Sequence, residues 1–137
     1  MSDCCGSNED VLITACAGAS DVGYISDRAA RMLSVAGKGS MYCLAGIGAG
    51  IPGFIKGAKE AGKNIVIDGC PVKCGKKIME KNSIACESFV ITELEYKKYE
   101  TGMSDDIVNE VFKKISGKIV NEKPEPVQGG CGCGGKC

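Results

Sequence analysis

Ten cysteines and no histidine bound the chemistry open to this 137-residue chain. Without an imidazole there is no Ser-His or Cys-His nucleophile pair, and no mixed Cys/His zinc site. A transition-metal site here has to be made of thiolates, with Asp or Glu as supplements. Cys16, Cys43 and Cys70 are separated by 27 residues and then 27 again. That interval is the length of one strand–helix unit, so a residue recurring with it occupies a similar place in successive units. Cys74 follows Cys70 in Cys70-Pro71-Val72-Lys73-Cys74. A helix starting just after Gly69 would carry Cys74 on its first turn, where the positive helix end favours a thiolate.

The surrounding pattern supplies such units. Val11 to Cys16 is a short apolar run, read as a strand that ends in Ala17-Gly18-Ala19-Ser20. Ser20 or Asp21 can cap a helix running to about Ala36, with Tyr24, Ala29, Met32 and Leu33 on its core face and Gly37 and Gly39 stopping it. Met41 to Leu44 reads as a second strand and 45–50 as a flexible Gly-rich turn. A second helix begins at Pro52 and stops at Gly62. Asn64-Ile65-Val66-Ile67-Asp68 is the clearest strand, followed by a third helix with Pro71 at its first position. Phe89 to Thr92 is a fourth strand. Ser104 and Asp105 open a last helix through about Ile119, with Ile107, Val108, Val111, Phe112 and Ile115 at helical spacing.

Alternating strands and helices predict an α/β fold with right-handed crossovers: a small doubly wound sandwich, Rossmann-like or flavodoxin-like, on a mostly parallel sheet of about four strands. A smaller domain with an antiparallel edge strand is the alternative. Residues 10–120 form the domain, with a flexible N-terminus over 1–9 and a flexible Cys/Gly-rich tail over 121–137. If the strand order is 2-1-3-4, Cys43, Cys16 and Cys70 end three neighbouring strands, at the edge where open α/β sheets bind ligands. Adjacent strands lie about 4.8 Å apart. Two sulfurs on a tetrahedral zinc, each bonded at about 2.3 Å, lie about 3.8 Å apart, which neighbouring strand ends can meet. Cys43, ending a strand not adjacent to the third, has to lean inward. Lys73 and two helix starts would offset the negative charge that four thiolates leave around one divalent ion.

Composition narrows the function classes. Lys+Arg and Asp+Glu balance at 17 each, so there is no basic field for nucleic acid or an acidic membrane. No apolar run approaches the roughly 18–20 residues of a membrane span, and the start at Met1-Ser2-Asp3 is unlike a secretory signal. A cytoplasmic location is expected. In a reducing compartment ten cysteines read as metal or thiol chemistry rather than as a disulfide framework.

Asp68-Gly69-Cys70, Ala15-Cys16-Ala17-Gly18-Ala19-Ser20, Cys43-Leu44-Ala45-Gly46-Ile47-Gly48 and Cys70-Pro71-Val72-Lys73-Cys74 together resemble the DGC-domain family, over about Val11 to Glu95. The resemblance implies zinc binding through four chelating cysteines, which on this chain are Cys16, Cys43, Cys70 and Cys74. It implies no substrate and leaves Cys4, Cys5, Cys131, Cys133 and Cys137 without a role.

The other signals are weaker. Asp68 could orient a ligand or act as a general base, or simply fix the turn through nearby amides, the reading preferred here. Thr92 and Glu93 end the fourth strand on the same edge. Neither Gly-rich turn has dinucleotide or Walker spacing, and close strand–helix packing explains both. Cys86 reads as structural. Two alternatives to zinc stand: a thiol redox or sulfur-transfer protein with Cys70 as nucleophile, acting on a sulfur-containing small molecule or redox partner protein, and a metal carrier using the tail.

Overall fold

The computed structural model describes residues 10–119. The predicted tails, with Cys4, Cys5, Cys131, Cys133 and Cys137, lie outside the described residues. Four strands, β1 (Val11–Ala15), β2 (Ser40–Met41), β3 (Lys63–Asp68) and β4 (Glu87–Val90), form one sheet in the order β2-β1-β3-β4. All three pairings are parallel. Five helices surround them: α1 (Asp21–Val35), α2 (Leu44–Gly48), α3 (Pro52–Glu60), α4 (Cys74–Lys81) and α5 (Asp105–Lys118). The sheet has no antiparallel edge.

Each face of the sheet has its own core. Ile13, Ile65 and Ile67 pack with Ile25, Ala29 and Leu33 of α1 and Val108, Val111 and Ile115 of α5. Side chains alternate along a strand, so Val66, between two of those isoleucines, faces the other way, toward Gly75 of α4. Ile47, Ala58 and Met79, one from each of α2, α3 and α4, cluster with Ile84. β3 is buried along Asn64–Asp68, as a central parallel strand should be.

The capping chemistry follows the sequence closely at α1 and α5. Ser20 accepts from the Gly23 amide at 3.3 Å, and Ser104 from the Ile107 amide at 3.4 Å. Elsewhere the boundaries move. The second strand is only Ser40–Met41, because Cys43 leaves the sheet to cap α2. The segment expected to be a flexible turn is therefore helical over Leu44–Gly48, with Gly46 pressed against the Phe54 ring. The third helix begins at Cys74 rather than Pro71, since Lys73 takes the left-handed conformation (φ 52°) and interrupts the turn. β4 starts and ends earlier than expected, and Ile91–Leu94 tighten into a 3₁₀ turn. No helix among the described residues is long and apolar enough to cross a membrane.

Glycines let the loops at the carboxyl edge close on one another. A Cβ on Gly69 would come within 2.8 Å of the Val22 carbonyl carbon and 2.9 Å of the Gly23 nitrogen, both backbone atoms that cannot swing aside. Gly69→Ala is therefore expected to destabilise the fold by about 1–3 kcal/mol, read as a lower urea midpoint with unchanged slope.

Candidate thiol site at the carboxyl edge of the sheet

The strand order reverses between β1 and β3: the chain moves outward from β1 to β2, then returns to the far side of β1. That switch point leaves a crevice beyond the strand ends, and Cys16 and Cys70 stand at it. Cys16 is the first residue past β1, its amide donating to the Ile67 carbonyl at 2.9 Å. Its own carbonyl accepts from the buried Ser26 hydroxyl, which also reaches the Gly23 carbonyl at 2.8 Å. The start of α1 thus holds the Cys16 backbone in place.

Asp68 sets the second half of the site. It ends β3, is only 1% exposed, and turns both carboxylate oxygens to α4: the Gly75 amide donates at 2.7 Å and the Lys76 amide at 2.9 Å. These are amides that a helix start leaves without internal partners. Of the roles open to Asp68, these two bonds are those of the turn-fixing one. Gly75 has to be glycine for this approach, since a Cβ would stand 2.6 Å from the Val66 Cγ2 and 2.9 Å from Asp68 Oδ1. Between these fixed points Cys70 lies half-buried against the α1/α5 core, and Cys74 is exposed at the first position of α4.

Cys70 and Cys74 both bear on the Cys16 thiol electrostatically. Burial is the largest influence on Cys16 and pushes its thiol above the ordinary range; the Gly18 amide, bonded to the sulfur, works the other way. Asp68, Cys74 and Cys70, in that order, push it up again because each would place negative charge nearby. A cation among them would reverse that penalty.

Cys43 is placed apart. The β1–β2 register sets Leu12 opposite Ser40 and Ile13 opposite Met41. Carried forward, Cys43 falls level with Ala15, one residue short of Cys16, where the chain has already left the sheet for α2. Its sulfur accepts from the Gly46 amide at 3.3 Å and caps α2. The β1–β3 register sets Ala15 opposite Ile67, so Cys70 stands well above Cys16. Equal spacing in sequence therefore yields a staggered set. Among the described residues, no three Cys, Asp or Glu side chains stand together closely enough to hold a metal ion as they lie.

Lys98 is the residue that spacing arguments missed. Its ammonium lies 3.9 Å from the Cys70 sulfur and 5.0 Å from the Tyr99 ring centre. Lys73, expected to offset thiolate charge, pairs instead with Glu93 at 3.0 Å. Thr92 joins the turn only through its amide, which donates to the Gly69 carbonyl at 3.3 Å. Lys98 sits on an irregular loop far along the chain, and only the fold brings it to Cys70. That loop is tied down by Asp21. One carboxylate accepts from the amides of Val22 and Tyr99 (2.9 and 2.7 Å) and of Thr101 and Gly102 (3.0 Å each). Burial alone would raise the Asp21 carboxyl, but the four amides outweigh it and hold it below the usual range.

Cys86 packs half-buried against the second core beside β4, and burial raises its thiol, with Lys76 acting in the opposite sense. That is the environment of a structural cysteine.

A family model of the DGC domain matches residues 12–115. Over 73 residues the chain is 30% identical to the "Anaerobic and virulence modulator AnvM" of Pseudomonas aeruginosa, covering 53% of this chain and 56% of that protein. The chain thus spans little more than half the length of that relative. No solved structure matches it.

Two outcomes follow from these carboxylates. Asp68→Ala strands two amides at the start of α4 and is expected to destabilise the fold by about 2 kcal/mol in chemical denaturation. Asp21 titrates lower folded than unfolded, so its contribution is present above the unfolded value and is lost as pH falls through the folded one. The amide resonances of Tyr99, Thr101 and Gly102 should shift in acid together, with a midpoint below the ordinary aspartate range.

Proposed function

This chain belongs to the DGC-domain family, and from that premise we propose that it binds zinc through Cys16, Cys70 and Cys74 at the switch point of its sheet. The observation that carries the reading is positional: Cys16 directly follows β1, and Cys70 and Cys74 lie on the turn that leads from the neighbouring β3 into α4, at one edge of the sheet. The donor chemistry suits a soft or borderline divalent ion, since the chain has thiols in abundance and no imidazole. Arrangement is the demand the reading makes. A cysteine has one side-chain torsion with three staggered wells, and the exposed Cys74 thiol has the freedom to turn inward. Cys43 stays with its own helix. Three protein ligands would leave one tetrahedral position for water or a thiol, and Lys98 would offset the excess negative charge. All five described cysteines are free thiols, which suits a reducing compartment such as the cytoplasm. The Pseudomonas relative is named for anaerobic modulation, a setting in which thiols stay reduced.

A second reading rests on Lys98 beside Cys70. An ammonium within reach of the sulfur would offset the negative charge that passes between sulfurs in thiol exchange with a sulfur-containing small molecule or redox partner.

Anaerobically purified protein is expected to carry about one zinc per chain. Cys16→Ser, Cys70→Ser and Cys74→Ser should each cut zinc retention against a chelator by tenfold or more, while Cys43→Ser and Cys86→Ser leave it near wild type. Reduced, metal-free protein that takes up no added zinc would end the metal reading. Rapid alkylation of Cys70 in that protein would then favour the thiol reading.

A further inference from the structure

The loop over residues 95–102 does more than join the last strand to α5. It crosses the site with Lys98 against the Cys70 sulfur. Tyr96 anchors its start, packing on the core and donating to Glu110 at 3.0 Å, while the hold on its far half runs through one side chain. Asp21 collects three of its amides, from Tyr99, Thr101 and Gly102, and the Val22 amide from the helix it begins. The loop also stores strain. Glu95 (φ 73°) and Tyr99 (φ 67°) both occupy the left-handed region, which disfavours side chains larger than glycine. Tyr99 is held there by the same amide that donates to Asp21, while its ring is left 76% exposed. The half beyond Tyr96, strained at Tyr99 and pinned by one carboxylate, is poised to swing about that anchor.

We propose that residues 95–102 form a strap across Cys70, buckled by Asp21, that admits small partners to the rim thiols and excludes bulky ones until it opens. The inference deepens the reading of the rim as the working site, by adding control of access to it. Asp21 acts as a positioning residue: it touches no thiol and works through the loop that carries Lys98. The surface a partner would meet on opening the strap includes exposed Val72 beside the site and Tyr99 on the strap itself.

The test uses the full chain, reduced and metal-free, so it does not depend on zinc. Cys70 is alkylated with iodoacetamide and with a bulky neutral maleimide at one pH, and the labelled peptide is quantified. The same thiolate attacks both reagents, so the ratio of their rates cancels its population and reports access alone. Asp21→Asn should raise the maleimide-to-iodoacetamide ratio by about fivefold or more and speed hydrogen exchange at 99–102 by about tenfold or more, with β3 amides unchanged. Thr101→Pro removes one of the anchoring amides, together with the bonds of Thr101 to Lys97 inside the loop, without touching α1, and should move both readouts the same way. It decides the matter if the Asp21 variant does not fold. An unchanged ratio in variants whose loop exchanges faster, or unchanged exchange in both, overturns the strap. Wild-type protein that binds no zinc refutes the metal reading alone.

Discussion

The turn from β3 into α4 depends on one buried carboxylate. Asp68 lies at the end of the central strand, where water is excluded, and such a charge persists only if hydrogen bonds replace its hydration. The first free amides of α4 do so, and in doing so they fix where the helix begins. The positions of Cys70 and Cys74 follow from that. Gly69 then allows the turn to rest on the start of α1, bringing Cys16 to the same edge. In Asp68-Gly69-Cys70 the three residues thus divide the work: one anchors the helix, one permits close backbone approach, and one presents sulfur.

A second carboxylate works in parallel on the other side of the crevice. Asp21 begins α1 and could have served only its own helix. It reaches across to the 95–102 loop instead. The thiol site therefore lies between two helix starts, each with an acidic residue bound to main-chain amides. Those amides are satisfied by the protein itself, so the positive charge available to the thiols comes chiefly from Lys98. The two carboxylates, meanwhile, keep negative charge close by, and Asp68 is among the influences that hold the Cys16 thiol neutral. A divalent ion would be welcome in such a place and a free thiolate on Cys16 would not.

Much of this was legible in the residues. The βα alternation and the parallel sheet follow from the strand-like runs at Val11 and Asn64 and the caps at Ser20 and Ser104, and the 2-1-3-4 order, a condition at the level of sequence, is the one the sheet adopts. Those signals are local and survive folding. The preferred role of Asp68 followed from its place before Gly69 and a helix. What sequence spacing could not convey was register. Equal intervals between Cys16, Cys43 and Cys70 suggest equal heights, yet β2 ends at Met41 and its pairing sets Cys43 one step low. The helix at Leu44–Gly48 was hidden because glycine-rich segments score as turns, and tertiary contact with Phe54 overrides that preference. Lys98 and the long-range role of Asp21 had no local signature: through an irregular loop, Lys98 meets Cys70 from 28 positions away and Asp21 binds amides 78 to 81 positions away.

The claim underlying the whole account is that sulfur from Cys16 and from the Cys70–Cys74 turn can converge on one ion beyond the ends of β1 and β3. X-ray absorption at the zinc edge of zinc-loaded full-length protein tests it directly. The account predicts a sulfur-dominated shell at about 2.3 Å that loses a sulfur scatterer on Cys16→Ser substitution. A shell of oxygen scatterers alone, or one that Cys16→Ser leaves untouched, would contradict it.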